Sequence, residues 1–406
     1  MKNICIVSAG IYPIPDVKGG GVERLMTMIA EDNEVNQRFN ITILTCKNKE
    51  AIVEQQRFKN TRFVNLKPYN SQRQINLARR IKGFVNNRLK IKTELSWLMW
   101  LVSPFNRYIT AHRNDFDLII QESPSTDFCC TAARLADNKR MAVHLHENVF
   151  GNKLFEKTFG NVVAVSDFIM NQYRQTSLLP IERTATIFNG IATENFQRRI
   201  TCEERISLRD KLGIKKDDFV IIFCGRIVWK KGVKELITAI SELNIPNMKL
   251  VIMGASDFGK GDYGDYPKEV RKLVDDNKDK IVFTGFVNNH ELYKYHQCAD
   301  LGVIPSLYND PCPLSMFEMI TSGLPTIATR AGGMTEIGTT DTTQYLSLDN
   351  IVEDLKLSIK ALYTDEQKRE EMKSAAFERS KHFVRNRFFK DFCDTIEMLI
   401  DKNKQL

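Results

Sequence analysis

Short apolar runs alternating with stretches of helical periodicity constrain this chain more than any other feature. In the first half the runs cover residues 3–8, 41–45, 117–120, 142–146 and 162–165. In the second half they cover 219–224, 249–253, 281–284, 301–304 and 326–328. They are rich in Ile, Val and Phe and lack clean alternation, which is the pattern of strands covered on both faces in a parallel sheet. Between them, Val22, Leu25, Met26, Ile29 and Ala30 form one apolar stripe. Val233, Leu236, Ile237 and Ile240 form another. Strand–helix alternation of this kind predicts doubly wound α/β domains. A chain of 406 residues is too long for one ordinary core. The polar run from Ala192 to Arg205 separates the two series. The expected division is an N-terminal Rossmann-like domain over 1–195, a second over 196–375, and a C-terminal helical stretch over 376–406 packing back toward the first.

Composition narrows the class. Hydrophobic residues are 43% and charged residues 27%, as in soluble globular proteins. The net charge of +8 suits a phosphorylated small molecule, a membrane face or nucleic acid, and cannot choose among them. Nine cysteines without a C-x-x-C pair predict reduced thiols, with neither a disulfide framework nor a zinc site. No stretch reaches the roughly 20 apolar residues of a membrane span, so a cytoplasmic protein, soluble or peripheral, is expected. The segment 73–113 is basic: Arg73, Arg79, Arg80, Lys82, Arg88, Lys90, Lys92, Arg107 and Arg113 stand against Glu94, with Trp97 and Trp100 among them. It suggests docking on an anionic membrane face; an ordinary helical insertion with a solvated basic face is the alternative.

Three segments carry chemistry. Lys18-Gly-Gly-Gly-Val-Glu-Arg24 follows the first strand and opens the first helix. Gly20 and Gly21 would let backbone N–H groups approach an anion. The segment lacks the G-x-G-x-x-G spacing and its following acid, which disfavours an NAD-dependent dehydrogenase. Phe223-Cys-Gly-Arg-Ile-Val-Trp-Lys-Lys-Gly-Val233 also joins a strand to a helix. There Arg226 and Lys231 are expected to bind phosphate, and Lys230 to be solvated. Two cations beside a leaving diphosphate would stabilise its developing charge. The third segment runs from Ile304 to Ala328. A proline-stiffened loop holds Asp310 and Cys312, and a helix starting near Leu314 carries Ser315 and Glu318 and stops at Gly323. Its first-turn amides would face a phosphate or a sugar, and its carboxylates would accept from sugar or ribose hydroxyls.

This third segment resembles the E-x7-E region of glycosyltransferase family 4, with Asp310 in place of the first glutamate and Glu318 as the second. Other elements resemble the same family in the same order: Gly20-Gly21-Val-Glu-Arg, Val165-Ser166, Phe188-Asn189-Gly190-Ile191, Gly225-Arg226 with Lys231-Gly232, Thr284-Gly285-Phe286-Val287 and Gly332-Gly333-Met-Thr-Glu336. The resemblance implies a GT-B fold, two Rossmann-like domains with a cleft between them. It implies a retaining, metal-independent transferase with a nucleotide-sugar co-substrate, UDP-sugar favoured, and no cofactor. It further implies diphosphate contacts from Arg226 and Lys231, a ribose contact from Glu318, sugar contacts from Asp310, and a donor pocket including Ser166, Asn189, Gly225, Phe286, Cys312, Leu314 and Ser315. Pro313 lacks the N–H that the family's usual glycine offers. A catalytic-site histidine is expected at the end of a strand in the first domain. In His144-Leu-His146, both imidazoles share a face by alternation. His146, nearer the strand's C-terminal edge, is the candidate; His144 is expected to be a satisfied structural histidine and the others surface residues. The acceptor would be a glycan or a lipid-diphosphate-linked saccharide in bacterial surface polysaccharide assembly, not nucleic acid. Competing classes are a GT-B epimerase or sucrose-type synthase, and a non-catalytic membrane or nucleic-acid binder.

Overall fold

The computed structural model describes residues 1–10, 12–67, 104–123, 138–254 and 265–404, with Arg80, Phe84 and Arg88 besides. Most of the basic segment expected to dock on a membrane lies outside the described residues, as do Cys129 and Cys130. The chain divides into two compact units, Met1–Asn189 with Phe388–Leu406, and Gly190–Arg387.

Among its described residues, unit 1 is built on seven parallel strands: β1 (Lys2–Val7), β2 (Phe39–Cys46), β3 (Thr61–Leu66), β4 (Leu118–Glu122), β5 (Met141–Leu145), β6 (Asn161–Ala164) and β7 (Thr184–Thr186). Their order is β3-β2-β1-β4-β5-β6-β7. Unit 2 has six among its described residues: β8 (Phe219–Cys224), β9 (Met248–Met253), β10 (Ile281–Gly285), β11 (Leu301–Ile304), β12 (Thr326–Thr329) and β13 (Thr343–Leu346), in the order β10-β9-β8-β11-β12-β13. The two orders are the same pattern, with one extra edge strand in unit 1. In each, the chain walks outward from a central strand, returns, and walks the other way. The α/β doubly wound class expected from the sequence is therefore present in both units.

The burial explains why the strands were legible. Ile4, Cys5, Ile6 and Val7 of β1 are all fully buried, so side chains on both pleat faces meet apolar neighbours. Three strands were missed: β3, β7 and β13. All three are edge strands. An edge strand pairs on one side only and tolerates polar residues, so TRFVNL, TAT and TQYL do not read as apolar runs.

Helices pack where the stripes predict. The helix α1 (Gly21–Asn36) buries Leu25, Met26, Ile29 and Ala30. The helix α2 (Asp167–Arg174) follows β6 and buries Ile169, Met170 and Tyr173. The helix α3 (Val233–Glu242) buries Val233, Leu236, Ile237 and Ile240 in the unit 2 core, at roughly 1.5–3 kcal/mol per fully buried side chain. The helix α4 (Leu314–Thr321) follows β11. The chain ends in α5 (Arg385–Lys404), which in unit 1 pairs Asp401 with Lys2 at 2.7 Å and Glu397 with Arg38 at 2.8 Å. No described helix is long and apolar enough to cross a membrane.

Candidate functional site

Open parallel sheets take ligands beyond the C-terminal ends of their strands, where the strand order reverses. Unit 1 reverses between β1 and β4, and unit 2 between β8 and β11. Arg226, Lys231 and Asp310 follow β8 and β11 at the unit 2 reversal, and Gly20 and Gly21 follow β1 at the unit 1 reversal.

In unit 2, β8 ends at Cys224, and Gly225 donates its N–H to the Met253 carbonyl at 3.0 Å. A single 3-10 turn, Trp229–Lys231, then leads through Gly232 into α3. Gly232 has φ +67°, and a Cβ there would lie 1.9 Å from the Pro305 carbonyl oxygen. Only glycine lets the β8–α3 turn press against the loop leaving β11. The Leu307 N–H donates to the Lys230 carbonyl at 2.8 Å and closes the same contact. Across it, the Lys231 ammonium forms an ion pair with the Asp310 carboxylate. The Ser306 hydroxyl donates to that carboxylate at 3.3 Å. The backbone N–H of Gly333, beyond β12, donates to the Asp310 carbonyl at 2.8 Å. Burial opposes the Lys231 charge, but Asp310 and Tyr308 outweigh it and hold the ammonium above the ordinary lysine value. Lys230 and Lys231 each place their ammonium 5.4 Å from the Tyr308 ring centre.

Other expected donor residues lie on the loops after β8 and β11, on α4, or just beyond β10. Arg226 is exposed, and Lys230 is exposed as expected. Cys312 is buried, and Leu314 and Ser315 are half-buried in the first turn of α4. Pro313 caps that helix without a side-chain hydrogen bond, and its carbonyl accepts from the Met316 N–H at 3.1 Å, which leaves the Leu314 and Ser315 amides to face outward. Glu318, one turn on, is only 4% exposed. Phe286, just beyond β10, is 46% exposed. A cavity of about 650 Å³ lies at the ends of β9 and β10, walled by Phe283, Gly285, Gly254 and Ile227 and by the cations Lys268, Arg271 and Lys272.

Unit 1 has different chemistry at its reversal. Glu122 ends β4 and is fully buried. In the parallel register it stands beside His144 of β5. His146, two residues on, returns to the same face. The Glu122 Oε2 lies 3.1 Å from His144 Nδ1 and 2.7 Å from His146 Nε2, and the two rings are 4.3 Å apart. Burial works to raise the Glu122 carboxyl, but the two imidazoles overcome it and bring it down to about 2. Burial, then the neighbouring His144, hold the His146 imidazole below its ordinary value, against the pull of Glu122. The three side chains offer ligand atoms within 4.8 Å of one another. That is a donor set for a divalent transition metal, although their mutual hydrogen bonds explain the cluster without an ion.

The glycine loop at the start of α1 is organised around an acid of the chain itself. Glu23 is buried, and a Cβ on Gly20 (φ +107°) would lie 2.2 Å from its Oε2. Burial pushes the Glu23 carboxyl up to about 7; hydrogen bonds from the backbone N–H groups of Glu23 and Tyr12 pull the other way, and Asp16 and Glu122 add to the rise. Gly21 is the first residue of the helix. Ser166 is fully buried and caps α2, accepting from the Ile169 N–H at 3.3 Å. Asn189 is buried at the end of unit 1.

Two histidine expectations need correction. His144 is not satisfied: its Nε2 is buried with no hydrogen-bond partner among the described residues. His296, expected at the surface, is 1% exposed, because its helix turns Leu292, Tyr293 and His296 inward and sets the imidazole 5.6 Å from the Phe196 ring. Sequence reasoning passed over Glu122 and Glu23. The signal for Glu122 was present: a Gln-Glu pair ending an otherwise apolar strand.

Residues 204–379 match the model of the family described as glycosyl transferases group 1. An uncharacterized glycosyltransferase of Methanocaldococcus jannaschii is 33% identical over 177 residues, 43% of this chain and 44% of that protein. The lipopolysaccharide 1,2-N-acetylglucosaminetransferase of Salmonella typhimurium is 25% identical over 230 residues, 55% of this chain and 58% of that protein. The chain thus spans about half the length of the curated relatives it matches. The solved structure of Anabaena HepE in complex with UDP-glucose superposes with a TM-score of 0.76 at 18% identity, over 98% of this chain and 100% of that one. That likeness, with two doubly wound parallel sheets, gives the GT-B fold. Over residues 204–379, within its second unit, the chain is similar to the glycosyl transferases group 1.

Proposed function

We propose that this chain is a retaining glycosyltransferase. It moves a hexose or N-acetylhexosamine from a nucleotide sugar, a UDP-sugar by preference, to a glycan or lipid-linked saccharide. The observation that carries this is the unit 2 strand reversal, where the Lys231–Asp310 pair, the exposed Arg226 and the open first turn of α4 stand together in the family-matching segment. The diphosphate takes the place of Asp310 as partner of Lys231, with Arg226 and the α4 amides completing the anion site. Asp310, released from the ammonium, accepts from hydroxyls of the donor sugar, and Glu318 accepts from the ribose. The cavity beside Phe283 receives the base. The bond between the anomeric carbon and the diphosphate oxygen breaks while the acceptor oxygen attacks from the same face and gives its proton to the departing diphosphate. Lys231 and Arg226 stabilise the charge gathering on the departing diphosphate, so no metal is required. Positioning supplies most of the remaining acceleration.

The relatives support the substrate classes. The Anabaena structure holds UDP-glucose, and the Salmonella relative is named for transfer onto lipopolysaccharide. On this reading unit 1 takes the acceptor, and the protein works at the cytoplasmic face of the membrane, with the basic 73–113 segment as its contact.

The test is turnover across UDP-glucose, UDP-galactose, UDP-GlcNAc, UDP-GalNAc and GDP-mannose, with and without EDTA, followed by NMR of the anomeric product. One preferred donor, insensitivity to chelation and a retained anomeric configuration are expected. An inverted product would overturn the mechanism. Binding without turnover of any donor would favour the epimerase or non-catalytic alternatives.

A further inference from the structure

The cluster at the end of β4 and β5 carries an inference about proton placement. Glu122 Oε2 is within hydrogen-bond distance of one nitrogen of each imidazole. An ionised carboxylate only accepts, so both of those nitrogens carry hydrogen. That fixes His144 as a donor from Nδ1 and His146 as a donor from Nε2. The other nitrogen of His144 is buried with no partner among the described residues. Whatever the charge on His144, its Nδ1 keeps the hydrogen that Glu122 accepts. On His146, Nδ1 has no partner among the described residues, and its side chain has the larger exposure of the two, 8% against 1%.

We propose that Glu122 is a positioning residue that locks His146 as the neutral Nε2–H tautomer, so that its Nδ1 presents a lone pair to a ligand hydroxyl. The site this creates takes a hydrogen-bond donor such as a sugar hydroxyl. It does not offer a cation to a phosphate. One oxygen of one carboxylate does this for two rings, and the His144 ring, tilted 51° against His146 at 4.3 Å, restricts the ring that matters. No bond is made or broken. The chemical consequence for turnover rests on the glycosyltransferase reading; the tautomer assignment does not.

The chain has six histidines, so a ¹⁵N-histidine spectrum can be assigned by single substitutions. Long-range ¹⁵N–¹H correlation on the full chain at neutral pH should show His146 as Nε2–H and His144 as Nδ1–H. Elemental analysis should find no stoichiometric transition metal. In Glu122→Met, His144 should leave the Nδ1–H form, and kcat should fall roughly 10–100-fold with little change in donor KM. Glu122→Gln keeps an accepting oxygen and should recover part of that loss. An Nδ1–H or imidazolium His146 in the wild type would overturn the proposal. So would a tightly bound metal at one per chain, which would make the three residues ligands. If no donor is turned over, the activity reading fails while the wild-type spectrum still decides the tautomers.

Discussion

The two strand reversals share a topology and differ in nearly everything else. In unit 2, a lysine meets an aspartate, a second cation stands exposed, and a helix begins on a proline with no side-chain cap. In unit 1, the equivalent place holds two buried carboxylates and two imidazoles, and the helix after the first strand begins on a glycine pressed against Glu23. One end is arranged for an incoming anion; the other has placed its own acids where an anion would go. The fold therefore decides where chemistry gathers, and the side chains following each central strand decide its sign.

The largest effect should come from removing the unit 2 cation. Lys231→Ala should lower kcat about 10²–10³-fold, the range for losing one donor at a developing oxyanion. Steady-state kinetics with the preferred donor would show it; a loss below threefold would mean that Lys231 serves only to hold Asp310.

Backbone substitution comes next. Gly232→Ala forces a side chain against the Pro305 carbonyl at a positive φ. A cost of about 1–3 kcal/mol is expected, read as a lower midpoint in urea. An unchanged midpoint would show that the two loops can move apart.

The two unit 1 carboxylates should give opposite pH dependences. Glu23 is raised from 4.5 to about 7, so the folded state binds the proton more tightly than the unfolded state. The stability this contributes is complete below pH 4.5 and is lost as pH rises toward 7, a change on the order of 3 kcal/mol. Glu122 is lowered from 4.5 to about 2. Its contribution is complete above pH 4.5 and is lost as pH falls toward 2. Denaturant titrations should show Glu23→Gln gaining on the wild type between pH 5 and 7, and Glu122→Gln losing its disadvantage between pH 4 and 2. Parallel pH profiles for the two variants would remove the distinction between the acids. The smallest effect belongs to surface pairs such as Lys234–Glu269, where Lys234→Ala should leave the midpoint in urea unchanged.

The central strands were legible because burial on both faces writes a continuous apolar run, as in VIIFC of β8. The edge strands β3, β7 and β13 were not, because half their surface has no sheet partner and their residues are mixed. The unit 2 segments could be picked out of the sequence, since the loops after β8 and β11 carry their charged residues and helix starts in short runs. What could not be read was pairing at a distance: Lys231 and Asp310 are 79 positions apart and each looked like a ligand in its own right. Glu122 was harder still. It is 22 and 24 positions from the histidines it holds, and only the parallel register of β4 and β5 brings them together.

The most direct measurement is calorimetric titration of UDP and UDP-glucose into the wild type, Arg226→Ala and Lys231→Ala. Saturable binding to the wild type, weakened about 10–100-fold in each variant, is expected for charge-assisted hydrogen bonds to a diphosphate. Equal affinity in all three proteins would contradict the placement of the donor at the unit 2 strand reversal.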